Sequence, residues 1–291
     1  MFLSLTISGL ALGSVYSLIA LGYSMIYKSS GLMSFVQGDI MTLGAFIGLT
    51  FYKLLKLPFG VSLVLTLAIA FGFGMLLEWG VVRRLLSKGA SAIYIILATI
   101  AISYIMQNGE QFAWGPVALQ YPSVFSFSTV KIFGTPIKPE MLICLGVTFV
   151  MMILLHLFMT QTRFGTAMRA ASMDRMAALS CGVNVPLSTG VSWGISSSMA
   201  AIAGMLLGPM YGVYVTLGAT IGRKGFGGAV VGGYGNMYGA MIGGLSMGVL
   251  ETLIAGYISS ALKNLFTYIV LILFLFLRPT GILDEKAIQD I

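Results

Sequence analysis

Residues 3–27 read LSLTISGLALGSVYSLIALGYSMIY without one charged side chain, and Lys28 is the first basic residue of the chain. About 20 mostly apolar residues suffice to cross a bilayer. The run is therefore long enough to span and too long for a signal-peptide core. No basic stretch precedes it, so the segment is expected to remain as a first membrane helix. Working outward, further runs follow at about 32–52, 59–82, 91–108, 140–159, 188–211, 229–256 and 260–277, making eight candidate spans. Composition agrees: 58% of the 291 residues are hydrophobic and 9% charged, against about 25% charged in an ordinary soluble domain. So few ionisable groups cannot cover a water-facing surface. The expectation is an all-α integral membrane protein, a polytopic helical bundle of about eight transmembrane helices forming one unit over residues 1–291.

The net charge of +7 is scattered in ones, twos and threes between apolar runs, where basic residues set orientation. No contiguous basic patch exists for nucleic acid. Arg83, Arg84 and Lys88 crowd one loop, Arg163, Arg169 and Arg175 another, and Lys28 falls on the same side. That side is assigned to the cytoplasm, with the N-terminus outside. The 109–139 loop then faces outward, with Trp114, Pro116, Tyr121, Pro122 and Pro136 suiting an ordered interfacial cap. Cys144 and Cys181 belong to no CxxC pair and read as small packing residues.

Glycine is the most informative residue type. Between Gly222 and Gly248 stand eleven glycines in 27 residues, including Gly228-AVV-Gly232 and Gly244-LSM-Gly248. Such spacing lets helix backbones approach closely. Gly225 to Gly235 is too glycine-rich for a straight helix, so a re-entrant or broken segment is expected near 212–236, beside a substrate path or simply within tight packing. Among charges in apolar runs, Asp39, with Gln37 just before it, falls in the first turns of helix two, and Glu251 lies well inside helix seven. Intramembrane ionisable groups should face protein, water or a partner. Asp39 reads equally as a dipole-favoured first-turn carboxylate or as a path-lining group. Glu251 reads as a helix–helix hydrogen bond or a functional group. His156 reads as an interfacial or packing histidine. There is no phosphate-binding loop, no HExxH, no second buried aspartate for an aspartyl protease and no arginine-rich voltage-sensing helix. Catalysis, cofactors and metals are not expected.

The loop Thr162-RFGTAMRAASMDRMAALSCGV-Asn184 is rich in strong helix formers between Thr166 and Ser180. Gly182 can end a helix in the left-handed conformation, and Pro186 blocks continuation. A short amphipathic helix is expected, its small-residue face (Ala167, Ala170, Ala171, Met173, Ala177, Ala178) suited to a protein groove rather than to lipid.

With Gly13-SVYSLIALGYSMIY, Ser34-FVQGDIMTLGA, the 162–182 loop, Gly232-GYGNMYGAMIGGLSMGVLE and Arg278-PTGIL in this order, the chain resembles the permease subunits of bacterial high-affinity branched-chain amino acid importers of the ATP-binding-cassette (ABC) class. Thr166, Cys181 and the residues after Leu283 depart from the family's usual pattern. The resemblance implies a single transmembrane permease domain in the inner membrane, with cytoplasmic coupling loop 160–187. It implies four kinds of neighbour: two ABC ATPase subunits, a second related permease, an extracytoplasmic substrate-binding protein and membrane lipid. Gly165, Arg169, Ala170, Asp174, Ala177 and Gly182 would form the coupling element docked in the ATPase. Gln37, Asp39 and Glu251 are the candidate path residues. A path of Gly, Ser, Thr and Met without a strong counter-ion would pass an apolar amino acid. Urea or short amides are the alternative cargo, and a stand-alone channel or ion-coupled carrier the alternative class.

Overall fold

The computed structural model describes residues 2–121, 130–132, 135–137 and 139–283. Among the described residues the regular structure is helical apart from one two-stranded hairpin and an isolated bridge. Six helices are long and apolar enough to cross a membrane. The first is α1 (Phe2–Ser30), followed by the shorter α2 (Gln37–Leu49) with a π-helical continuation at Thr50–Leu54. Next come α3 (Phe59–Leu77), a π-helical turn at Glu78–Val82 and α4 (Arg83–Ser87), which together make one rod. After α5 (Ala92–Trp114), strands β1 (Val130–Ile132) and β2 (Thr135–Ile137) pair antiparallel with Lys131 opposite Pro136. Then follow α6 (Pro139–Gln161), α7 (Arg163–Met173), α8 (Arg175–Ser180), α9 (Val185–Tyr211), α10 (Leu217–Gly232), α11 (Met237–Tyr257) and α12 (Lys263–Leu277).

Burial sorts these helices. The apolar window of α9 is 83% buried and that of α1 56%, against 17% for α5 and α6. The two central helices are also the ones studded with Gly, Ala and Ser, so neighbours approach to backbone distance. On α1, Gly13 lies so close to Gly248 of α11 that a Cβ on either would collide with the other helix's backbone. Large apolar side chains on α3, α5, α6 and α12, such as Val64, Ile105, Ile153 and Phe276, remain exposed. These outer faces suit hydrocarbon. The molecule is a multi-pass membrane protein.

Three expectations are corrected. The second helix starts at Gln37, not near residue 32, because residues 31–36 run without helix after Gly31 (φ +70°). The apolar run 229–256 is two helices: Gly233 (φ +106°) and Gly235 (φ +98°) break it, and the Asn236 side chain caps α11 by accepting from Gly239 N at 3.0 Å. The expected single loop helix is also two, α7 and α8. Pro186 opens α9 within its first turn, where a proline's missing N–H costs nothing. Among the described residues, α2, α10 and α12 are shorter than the six long helices and complete the polytopic bundle.

The two ends of the bundle are distinct. At one, Arg83 Nη2 donates to the Pro186 carbonyl (2.6 Å), and Ile282 N and Leu283 N pair with the carbonyls of Val231 (2.8 Å) and Gly232 (3.1 Å). The described C-terminal segment therefore reaches the same end as Tyr27, whose ring packs on Tyr234. At the other end, Trp114 Nε1 donates to Thr50 Oγ1 (2.9 Å), its ring stacking on Phe46, while Tyr121 stacks on Tyr52. A Leu119–Val213 bridge closes this cap. Pro122 lies outside the described residues.

Candidate functional site

Gln37 places the start of α2 inside the bundle. Its side-chain amide donates to the Ser196 carbonyl of α9 (2.6 Å) and lies against Gly22 of α1. Because the chain reaches that depth without helix, the electropositive first turn of α2, with Asp39 in it, is held among other helices. Beside it α10 crosses α2 at Gly38 and Gly218, where a Cβ on either residue would collide with the other's carbonyl. Gly218 N donates to Thr42 Oγ1 (2.8 Å), fixing the crossing.

Between α1, α2, α5, α10 and α12 lies a cavity of about 620 Å³, within the ~300–1,000 Å³ range of small-molecule sites. Its polar wall carries Asp39, Ser103, Gln107 and Arg223; its apolar wall includes Phe35, Phe226, Ile100 and Leu271. Asp39 is buried, and its carboxylate accepts from the Ser103 hydroxyl and from Gln107 Nε2 (2.9 Å), one turn apart on α5. Arg223 is exposed and makes no hydrogen bond or ion pair with any described residue. One turn beyond Gln107, Glu110 is buried with neither carboxylate oxygen hydrogen-bonded among the described residues.

Of the three sequence-derived path candidates, only Asp39 lines this cavity. Gln37 is occupied with Ser196. Glu251 stands in a separate buried cluster, where its carboxylate meets Lys224 Nζ (2.6 Å), Lys263 Nζ (3.5 Å) and the donating Tyr16 hydroxyl (2.7 Å). Four helices converge there. Sequence reasoning missed Arg223, Ser103 and Gln107. The available signal was an Arg-Lys pair inside a glycine-rich apolar stretch.

The loop residues occupy the Pro186 end. Thr162 Oγ1 accepts from Gly165 N (3.0 Å) to start α7, and Gly165 is buried against the last turn of α6. Asp174 is extended (φ −148°, ψ 111°), and its carboxylate accepts from Met176 N (2.8 Å) and Ala177 N (3.0 Å). It is the cap of α8, which is why the expected single helix divides there. Gly182 takes φ +80°. Arg169, Asp174 and Ala177 are exposed and Ala170 is half-buried. The expected face is divided: Ala171 and Ala178 pack with Val185, and Ala170 and Val183 lie against them, while Met173 and Ala177 are exposed. What the pair exposes is larger, Met173 at 78% and Met176 at 73%. Cys181 is exposed rather than packed, Cys144 is buried, and the two are not bonded. His156 is hydrogen-bonded to the Tyr238 hydroxyl.

A clamp ties this end to the bundle. Arg83 forks the Glu78 carboxylate (2.6 and 3.2 Å) while also holding the Pro186 carbonyl, and Thr189 Oγ1 donates to Glu78 (3.0 Å). The rod of α3 and α4 is thus joined to the first turn of α9, the helix that leaves α8. Its π-helical turn begins at Glu78 itself.

Residues 5–275 match the family model described as branched-chain amino acid transport system / permease component. The chain belongs to this permease family. Relatives span the whole chain. The high-affinity branched-chain amino acid transport system permease protein LivH of Salmonella typhimurium is 32% identical over 100% of this chain and 98% of its own. BraD of Pseudomonas aeruginosa, described in the same words, is 31% identical with the same coverage. A probable LivH of Methanocaldococcus jannaschii is 30% identical over 94% of this chain and 90% of its own. As a branched-chain amino acid permease family member, the chain matches relatives that are transport subunits.

Proposed function

We propose that this chain is the permease subunit of an ABC importer, translocating branched-chain or similar apolar amino acids across the inner membrane, driven by ATP hydrolysis in partner subunits. The observation that carries this reading is the end-to-end likeness to LivH and BraD. Residues 1–291 act as one transmembrane permease domain, paired with a second related permease, two ABC ATPases and an extracytoplasmic binding protein. The end bearing α7 and α8 faces the cytoplasm.

Coupling falls to Gly165, Arg169, Ala170, Asp174, Ala177 and Gly182, with the exposed methionines Met173 and Met176 supplying adaptable apolar contact for the ATPase cleft. Movement of α7 and α8 passes to α9 through Val185 and to α3 and α4 through the Arg83–Glu78–Thr189 clamp, shifting the balance between outward- and inward-open forms. Asp39, on the cavity wall, contacts the passing solute.

Replacing Arg169 and Asp174 together with Ala should leave insertion intact while ATP hydrolysis no longer drives leucine uptake in proteoliposomes. Full uptake by that double variant would remove the coupling assignment. Purification in mild detergent should bring the ATPases and second permease with the chain; a chain that transports without them would support a channel or carrier instead.

A further inference from the structure

Asp39 and Arg223 line one cavity and lie within electrostatic reach of each other, yet form no ion pair. Asp39 is buried without a cationic partner, which is costly for a carboxylate within a membrane protein, while Arg223 stands exposed on the same cavity wall. We propose that the cavity between α1, α2, α5, α10 and α12 is a zwitterion subsite. Asp39 receives the ammonium of an α-amino acid, Arg223 its carboxylate, and the Phe35, Phe226, Ile100 and Leu271 wall its apolar side chain. This assignment rests on the importer reading and gives it a head-group chemistry.

Four features carry it. A carboxylate offers about four lone-pair sites, and Ser103 and Gln107 use two at Asp39, so acceptor capacity remains. Those donors hold the carboxylate in place before a ligand arrives, lowering the ordering cost of binding. The Arg223 guanidinium makes no hydrogen bond or ion pair with a described residue, and its planar fork matches a carboxylate bidentately. The remaining wall is aromatic and aliphatic, which discriminates among side chains by area rather than by hydrogen bonds. A neutral amide such as urea satisfies neither charge, an amine alone meets Arg223, and a carboxylate alone meets Asp39. Only a molecule bearing both charges answers both walls.

The test uses the assembled permease with its ATPases in nanodiscs, without the binding protein, and compares L-leucine, leucinamide and 4-methylpentanoate by saturation-transfer NMR. Wild type should favour L-leucine over both analogues. Asp39→Asn should weaken L-leucine and leucinamide roughly tenfold and bind 4-methylpentanoate as well as or better than wild type, because a repelling charge is gone. Arg223→Gln should do the reverse, weakening L-leucine and 4-methylpentanoate and sparing leucinamide. Misfolding cannot produce such crossed patterns. If Asp39→Asn fails to assemble, Arg223→Gln, which alters an exposed side chain, decides alone. Equal binding of all three probes by wild type, or an unchanged order in the variants, overturns the subsite. Uptake of labelled leucine by the complete wild-type importer is measured in parallel. Uptake with a flat analogue pattern sinks the subsite alone, whereas no uptake sinks the importer reading itself.

Discussion

Glu251 holds three side chains from three other helices, and its neighbourhood sets what a substitution there does. Lys224 beside it is as buried as the glutamate, while Lys263 is partly exposed. Removing one partner of a buried ion pair typically costs about 3–5 kcal/mol because the other charge is left alone. Glu251→Gln should therefore lower thermal stability in detergent markedly, and adding Lys224→Met should restore much of the loss. A single variant as stable as wild type would show that the cluster does not hold these helices. Glu110 gives the opposite expectation. Its carboxyl has no described partner, so Glu110→Gln keeps the shape and loses nothing by way of hydrogen bonds; its melting temperature should equal or exceed that of wild type. The charge of Glu251 and its depth were legible in the sequence, because hydropathy reports both. Its partners were not. Lys224 sits in the 212–236 stretch, whose threading the sequence left open, and only the α10 crossing at Gly38 and Gly218 carries Arg223 to the cavity.

At the scale of elements, the long helices were legible because an apolar run of sufficient length has few alternatives in a membrane. Their interruptions were harder. The break at Gly233 and Gly235 falls within the expected 212–236 segment, but glycine permits positive backbone angles and does not require them, so composition leaves the exact residues open. The division between α7 and α8 was masked by the strong helix preference of the surrounding Ala and Met, although Asp174 is a good capping residue. Asp174→Ala alone should remove two hydrogen bonds at the start of α8 and cost ~1 kcal/mol. Faster backbone amide exchange at Met176 and Ala177, with α7 unchanged, is the expected readout. Close helix contact makes a second prediction. Gly248→Ala would push a methyl into the Gly13 backbone, at a cost on the order of 1–3 kcal/mol. Gly146→Ala, on α6 with open space around it, should be silent in the same melting experiment.

For the whole molecule, the two ends do different work. The cap of Trp114, Tyr52 and Tyr121 closes one; the clamp, the α7–α8 pair and the described C-terminal segment share the other. If α7 and α8 dock with an ATPase, the contact is made by the methionines they expose. Met173→Glu with Met176→Glu should weaken ATPase association roughly tenfold while leaving the melting temperature of the isolated chain unchanged. Intact association would move the docking surface elsewhere. The sequence indicated that this segment protrudes and gave it one small-residue face. Alanine also packs inward, so Ala171 and Ala178 turn to Val185 of α9 while Met173 and Ala177 stay exposed. The pairing of α1 with α11 also bears on how the protein is made. Gly9 and Gly13 of α1 meet α11, a helix much further along the chain, so that groove closes only after Met237–Tyr257 has been made. A chain truncated before Met237 leaves those glycines without their partner helix, so it should be cleared from the membrane faster than the full-length protein.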